Sequence, residues 1–311
     1  MTGEQWRRFL QEAGGVVLAD GAMGTMLFDA GLEYGEAPEG WNLKRPERIG
    51  EIHRSYLAAG SRILLTNTFG GNRFRLALHG LQDRVTDANR AAADILRSAV
   101  EASGQPALVA GDIGPSGSIL APLGDLEFSE AVAGFAEQAQ ALVSAGVDLI
   151  WIETMSDLEE TRAALEGVRQ AAPEIAVLTS MSFDTHGRTM MGVTPERAVQ
   201  TLNAWGAVAV GGNCGNGTEE VLQVVRKMRA ASPETMLVAK SNAGMPELIG
   251  GRACYGATPE TMAIYLRQAV QAGAAVVGAC CGSRPDHIRA MADALGEMHR
   301  EGLHDPLEAS G

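Results

Sequence analysis

Aromatic residues make up only 5% of this 311-residue chain, so its core has to be built from Ala, Val, Leu, Ile and Met. No run approaches the ~18 consecutive apolar residues that a bilayer-spanning helix needs. The opening segment MTGEQWRRFLQEAGG has neither an uninterrupted apolar stretch nor a small-residue cleavage site. Neither a membrane span nor a signal peptide is therefore expected. Basic residues are in deficit, 25 against 38 acidic, for a net charge of −13. Nucleic acids and anionic membranes both want a basic face, so neither is expected as a partner, and the balance fits a cytoplasmic protein. Cysteine is scarce too, with four residues at 214, 254, 280 and 281. That is no disulfide scaffold, and pairing the adjacent two would close a strained ring. In a reducing compartment, clustered thiols read as ligands or nucleophiles.

What is present is one architecture repeated. Apolar or β-branched runs recur at Val16–Asp20, Arg62–Phe69, Ala107–Asp112, Asp148–Thr154, Ile175–Phe183, Val208–Cys214, Met236–Asn242 and Ala274–Cys281. They lack strict alternation, as expected of strands buried on both faces of a parallel sheet. Amphipathic segments lie between them: 46–59, 85–102, 129–145, 158–171, 195–205, 219–231, 259–272 and 285 to about 299. Thr194-Pro195, Thr258-Pro259 and Arg284-Pro285 place proline at a first helical position. Ala59-Gly60, Ala145-Gly146 and Ala272-Gly273 offer a left-handed stop. Eight strand–helix units in a chain of this size predict a single-domain α/β fold, a (β/α)8 TIM barrel over residues 1–311 with a short C-terminal tail. A doubly wound open sheet is the other possibility. It would usually carry a Gly-rich dinucleotide fingerprint after its first strand, where ADGAMGTM stands.

In such a barrel, chemistry collects at the carboxyl ends of the strands. In order these carry Asp20, Asn67, Asp112, Glu153, Phe183-Asp184, Asn213-Cys214, Ser241-Asn242 and Cys280-Cys281. Three cysteines thus end strands six and eight, with Gly278 and Gly282 flanking the adjacent pair. Three thiolates at one mouth make a soft ligand set, with zinc the expected metal and a fourth position open, as in catalytic rather than structural sites. Burial as small hydrophobes is the plain alternative. Cys254 lies off the strand ends and reads as structural. No histidine ends a strand, which weakens a hydrolytic reading; His53 reads as a packing residue and His186 as a loop residue. Asp20 and Glu153, at separate strand ends, are expected to hold an ammonium group, since buried carboxylates are costly without a cation.

The motifs ADGAMGTM (19–26), IHRSYLAAG (52–60), LLTNTFGGN (64–72), GDIGPSG (111–117), WIETMSDLEE (151–160), GGNCG (211–215) and GACCG (278–282) together resemble the homocysteine S-methyltransferases. The resemblance spans about residues 15 to 295. It implies zinc held by Cys214, Cys280 and Cys281, with the sulfur of homocysteine in the open position. Asp20 and Glu153 would bind the substrate's amino group, backbone near Gly21, Ala22 and Met23 its carboxylate, and Asn213 would support the zinc loop. The family often has Gly-Gly before the cysteine pair, where this chain has Gly278-Ala279, and often Ser in the strand-three motif, where it has Asp112. A small onium methyl donor, betaine or S-methylmethionine, would want an aromatic cage. Trp41 is one wall, or else a packed rim residue, and Phe69 and Tyr34 could add others, with Asn67 alongside. The tyrosines that animal-type betaine enzymes place after the strand-two phenylalanine and the strand-four glutamate are Gly70 and Thr154 here. A methylcorrinoid on a separate protein is the alternative donor. Rivals of other classes are a barrel lyase or aldolase using Asp20 and Glu153 with a different metal or with Lys240 as a Schiff-base lysine, and a redox or metal-storage protein. Trp6, Phe9 and Leu10 could dock on the barrel or on a second subunit of a homo-oligomer.

Overall fold

The computed structural model describes residues 1–184, 186–249 and 252–302. Its main sheet is assembled from β1 (Val17–Leu18), β2 (Ile63–Leu65), β3 (Leu108–Ile113), β4 (Leu149–Met155), β5 (Val177–Met181), β6 (Ala209–Cys214), β7 (Leu237–Ser241) and β10 (Ala274–Ala279). A separate antiparallel hairpin, β8 (Pro246–Ile249) and β9 (Arg252–Tyr255), rises from the loop after β7. The eight main strands pair in parallel in the order β1-β10-β7-β6-β5-β4-β3-β2. A parallel bridge between Ala19 and Ile63 brings the two edges together, and Arg62 N–H donates to the Leu18 carbonyl at 2.8 Å. With helices between successive strands, this is a (β/α)8 barrel.

The strands are apolar on both faces, yet their period of two is intact. One set of alternate residues, Val17, Ile63, Ala110, Leu149, Trp151, Leu178, Ala209, Val238 and Val276, fills the barrel interior. The intervening set, including Leu18, Leu64, Val109, Ile150, Val177, Val210 and Val277, packs against the helices. Two residues further along the inward face come Asp112, Glu153, Lys240 and Gly278. The alternation that buries the core therefore also aims charged side chains into the barrel mouth.

The opposite end is sealed by a helix, Gly3–Glu12, started by a Thr2–Gln5 capping box. Trp6 and Leu10 on it are fully buried against the interior set, and the Trp6 indole N–H points at Met236 Sδ, 3.3 Å away. The apolar face of this segment is thus covered by its own barrel. Thr194 and Thr258 cap their helices with proline in the first turn, and Gly60 stops its helix at φ 113°. No helix among the described residues is long and apolar enough to cross a membrane.

The expected strands run too long at their ends. The second stops at Leu65, because the hydroxyls of Thr66 and Thr68 (2.6 Å apart) bond to Asp112 N–H and C=O and fold the chain into a loop. The last stops at Ala279, just before the cysteine pair.

Candidate active site

Cys214 and the Cys280-Cys281 pair come from β6 and from the turn after β10, on either side of β7. Their sulfurs converge. Cys214 Sγ lies 3.4 Å from Cys280 Sγ and 3.7 Å from Cys281 Sγ, and all three sulfurs fall within 4.8 Å of one another. Three sulfurs around a tetrahedral zinc with Zn–S near 2.3 Å would be about 3.8 Å apart. The donor set and its spacing therefore fit a metal. Hydrogen bonding with Cys214 and then Cys280 holds the Cys281 thiol down to about 3, while bonding to Cys280 and Cys281 pushes Cys214 up. Cys254 is exposed on β9 and does not join the cluster.

Local chain geometry explains the convergence. Cys214 adopts a left-handed backbone (φ 61°), and Gly215 follows at 72°. Asn242 Nδ2 donates to the Gly215 carbonyl at 2.6 Å and holds this turn. The cysteine pair is tied down by Cys280 N–H to Ser241 O (2.7 Å) and Ala243 N–H to Cys281 O (2.9 Å). Ser283 Oγ donates to Cys280 O and accepts from Ala22 N–H, and Thr25 Oγ1 accepts from Gly282 N–H. Gly282 stands at φ 79°, with the Tyr255 ring against it where any side chain would lie. The Tyr255 hydroxyl also helps to hold the Cys281 thiol down. Ser283, Thr25 and Tyr255 are contributors that reading strand ends does not find.

Asp20 and Glu153 share the mouth with the sulfurs, but they are not waiting alone. Lys240 Nζ lies 3.2 Å from Glu153 Oε2 and 3.8 Å from Asp20 Oδ1. Asp20 Oδ2 accepts from Leu65 N–H at 2.9 Å. Burial pushes the Asp20 carboxyl up to about 7, against the opposing pull of Lys240, and burial likewise raises Glu153 and Asp112. Burial would lower Lys240, but Glu153 and then Asp20 hold it well above its ordinary value. It is an ammonium engaged in ion pairs, which is the wrong state for the Schiff-base nucleophile of an aldolase.

Asn213 braces the site from the side. Its Oδ1 accepts from Thr154 N–H (2.9 Å) and its Nδ2 donates to Thr154 Oγ1 (2.7 Å). Thr154, next to Glu153, is held at φ 60°, an outlier for a β-branched residue.

Several expected contacts are placed differently. Trp41 is 1% exposed in the main core, with the Arg45 guanidinium 4.8 Å from its ring centroid, so it is a packed rim residue and not an open cage wall. Asn67 is a clamp: Nδ2 donates to Pro38 O and Asn42 Oδ1, and Asn42 Nδ2 returns a bond to Asn67 O. Buried Glu39 accepts from Gly70 N–H at 2.7 Å, fixing the Trp41 loop onto the Phe69 loop. Phe69 itself is half-buried over Gly114, where a side chain would collide with its ring. Tyr34 is exposed and stacks on Phe28 at 5.0 Å. The Ala22 N–H is already used by Ser283, and Met23 opens a short helix, Met23–Asp29. His53 is buried in its helix, and His186 is exposed in the loop after β5.

Fold and site together define a (β/α)8 barrel carrying three convergent thiols over a charged floor. Residues 17–295 match the homocysteine S-methyltransferase family, and the chain belongs to it. It is 32% identical over 296 residues to a methionine synthase of Mycobacterium leprae (strain TN), covering 90% of this chain and 24% of the synthase, so it spans about a quarter of that relative. It also matches the homocysteine methyltransferase MmuM of Escherichia coli in its metallated form, with TM-score 0.78 and 25% identity, covering 92% of this chain and 98% of that one. The oxidised form of MmuM matches with TM-score 0.74 and 26% identity, covering 91% and 97% of the two chains. The carboxyl transferase domain of Rhizobium etli pyruvate carboxylase, at 11% identity and TM-score 0.52, covers 97% of this chain and 50% of that one and shares the fold alone.

Proposed function

We propose that the protein methylates homocysteine to methionine, using a small onium donor, betaine or S-methylmethionine, with zinc held by Cys214, Cys280 and Cys281. The observation that carries this reading is the meeting of three sulfurs at one point beside buried carboxylates, in a chain of this family. When bound, the zinc supplies a Lewis acid that keeps the substrate sulfur ionised at neutral pH, where a free alkyl thiol with a pKa near 8.5 is mostly protonated.

Asp20 and Glu153 hold the substrate ammonium through charge-assisted hydrogen bonds. Backbone at Gly21 and Met23 would bind its carboxylate, the Ala22 N–H being held by Ser283, and Asn213 keeps the Glu153–Thr154 backbone in place. Phe69 is the aromatic surface for the onium group, with Trp41 packed behind the rim. In the transfer, a lone pair of the substrate sulfur forms the new S–CH3 bond. The donor's bond to that methyl breaks, and its electron pair stays on the departing nitrogen or sulfur. No proton moves in this step, so no general base is required, consistent with strand ends that carry no histidine.

The similarity to methionine synthase supports a second reading, in which a methylcorrinoid on a separate protein supplies the methyl group. Incubating zinc-loaded protein and homocysteine with betaine, S-methylmethionine or methylcobalamin in parallel, and measuring methionine, separates these. Methionine from an onium donor is expected. Turnover with methylcobalamin alone would replace the donor, and no methionine from any of the three would overturn the reading.

A further inference from the structure

Lys240 is 4% exposed and sits on β7, the strand between those that carry Cys214 and Cys280. Its register partners are Asn213 on one side and Gly278 on the other. The missing side chain of Gly278 makes room for the lysine stem, whose Cγ lies 3.3 Å from where a Cβ would stand. Below the ammonium, at 5.8 Å, is the ring of Trp151, whose own indole N–H is fixed by Ser180 Oγ at 3.1 Å. The lysine is therefore built in from every side.

Around it stand three carboxylates, Asp20, Asp112 and Glu153, each at most 6% exposed. One lysine cannot balance three buried carboxylates. Nor can it satisfy their oxygens: among the described residues, Asp20 Oδ1 and Asp112 Oδ1 are buried without a hydrogen-bond partner. A primary ammonium brings a second positive charge and three N–H donors. The arrangement has room, in charge and in hydrogen bonds, for one such group more.

We propose that Lys240 is a positioning residue for the substrate ammonium: it holds Glu153 Oε2 and, at the longer 3.8 Å, Asp20 Oδ1, so that these two carboxylates and Asp112 Oδ1 are set to receive the incoming N–H groups. The lysine does not touch the substrate. It acts through the carboxylates, and Asp112 joins Asp20 and Glu153 as a third acceptor. The proposal rests on homocysteine being the thiol bound.

The contrary possibility is that Lys240 imitates the substrate ammonium and competes with it. Calorimetric titration of zinc-loaded protein with homocysteine and with 4-mercaptobutanoate, which lacks only the amino group, distinguishes the two. Measurable homocysteine binding by wild type tests the functional reading itself. Given that binding, Lys240→Met is expected to weaken homocysteine about tenfold or more, the range of a lost charge-assisted hydrogen bond, while moving the deaminated thiol less than about threefold. Lys240→Gln provides a second neutral variant should the first not fold, and Lys240→Arg, which keeps the charge, should restore the preference for the amino thiol. Equal losses for both thiols would reduce the lysine to a structural part, and tighter homocysteine binding in either neutral variant would make it a competitor. Either result overturns the proposal.

Discussion

Replacing Asn213 with Ala tests whether the strained backbone beside Glu153 is held by a side chain from the next-but-one strand. The change removes two hydrogen bonds to Thr154, at 2.9 and 2.7 Å. At ~0.5–1.5 kcal/mol net each, their loss costs about 1–3 kcal/mol. Against this stands the strain of Thr154 at φ 60°, of order 1–3 kcal/mol, part of which is released once the clamp is gone. The expected net destabilisation is therefore only about 1–2 kcal/mol, and the homocysteine KM should rise as Glu153 loses its alignment. Thr154→Gly removes the strain while keeping the backbone bond to Asn213. It should stay within about 1 kcal/mol of wild type, because glycine accepts a left-handed backbone without penalty. The two changes must be non-additive, since they share one contact. Denaturant unfolding of both single variants and the double variant measures this. Strictly additive costs, or an Asn213→Ala protein with unchanged KM, would refute the clamp.

Other outcomes follow from the same geometry. Asp20 has its carboxyl raised to about 7 and must be ionised to hold an ammonium, so kcat/KM for homocysteine should fall about tenfold per unit as pH drops below 7. Asp20→Asn should flatten that limb, and an unaltered acid limb would remove Asp20 from the site. The sign for stability is opposite. Between the ordinary carboxylate range and 7 the metal-free fold keeps a proton that the unfolded chain has lost, so stability contributed by Asp20 declines as pH rises through that window, readable from Tm against pH. Trp6→Ala, at the sealed end of the barrel, should cost about 3–5 kcal/mol of stability in denaturant unfolding yet leave homocysteine binding intact at low temperature. A binding defect without a stability defect would contradict the plug.

Much of the barrel is legible in the sequence because a parallel sheet with both faces covered reads as short apolar runs, and Thr-Pro and Ala-Gly pairs punctuate the helices between them. The ends of the runs are less legible. Thr66 and Thr68 look like strand residues by type, but their hydroxyls bond to the backbone of Asp112 on β3, and Asn67 reaches Pro38 in a neighbouring loop, so the chain turns away. Of the site, the three cysteines and the two carboxylates stand at strand ends and can be found from position alone. Lys240 is visible only as a lysine in an apolar strand. Nothing local says that its neighbours across the barrel are Glu153 and Asp20, and that difference separates a nucleophile from an ion-paired ammonium. Trp41 misleads for the mirror reason, since a loop tryptophan near a mouth looks exposed until Glu39 and Asn67 are seen to pull its loop inward. The hairpin of β8 and β9, too short to signal itself by periodicity, brings Tyr255 to Cys281 unannounced.

The central claim is that Cys214, Cys280 and Cys281 form one metal centre that accepts the sulfur of homocysteine. X-ray absorption at the zinc edge, on zinc-loaded protein before and after homocysteine is added, tests it most directly. The account predicts three sulfur neighbours at about 2.3 Å, rising to four with substrate, and loss of bound zinc in Cys214→Ala and Cys281→Ala with the fold retained. A sulfur count that homocysteine leaves unchanged, or stoichiometric zinc retained in both variants, would contradict it.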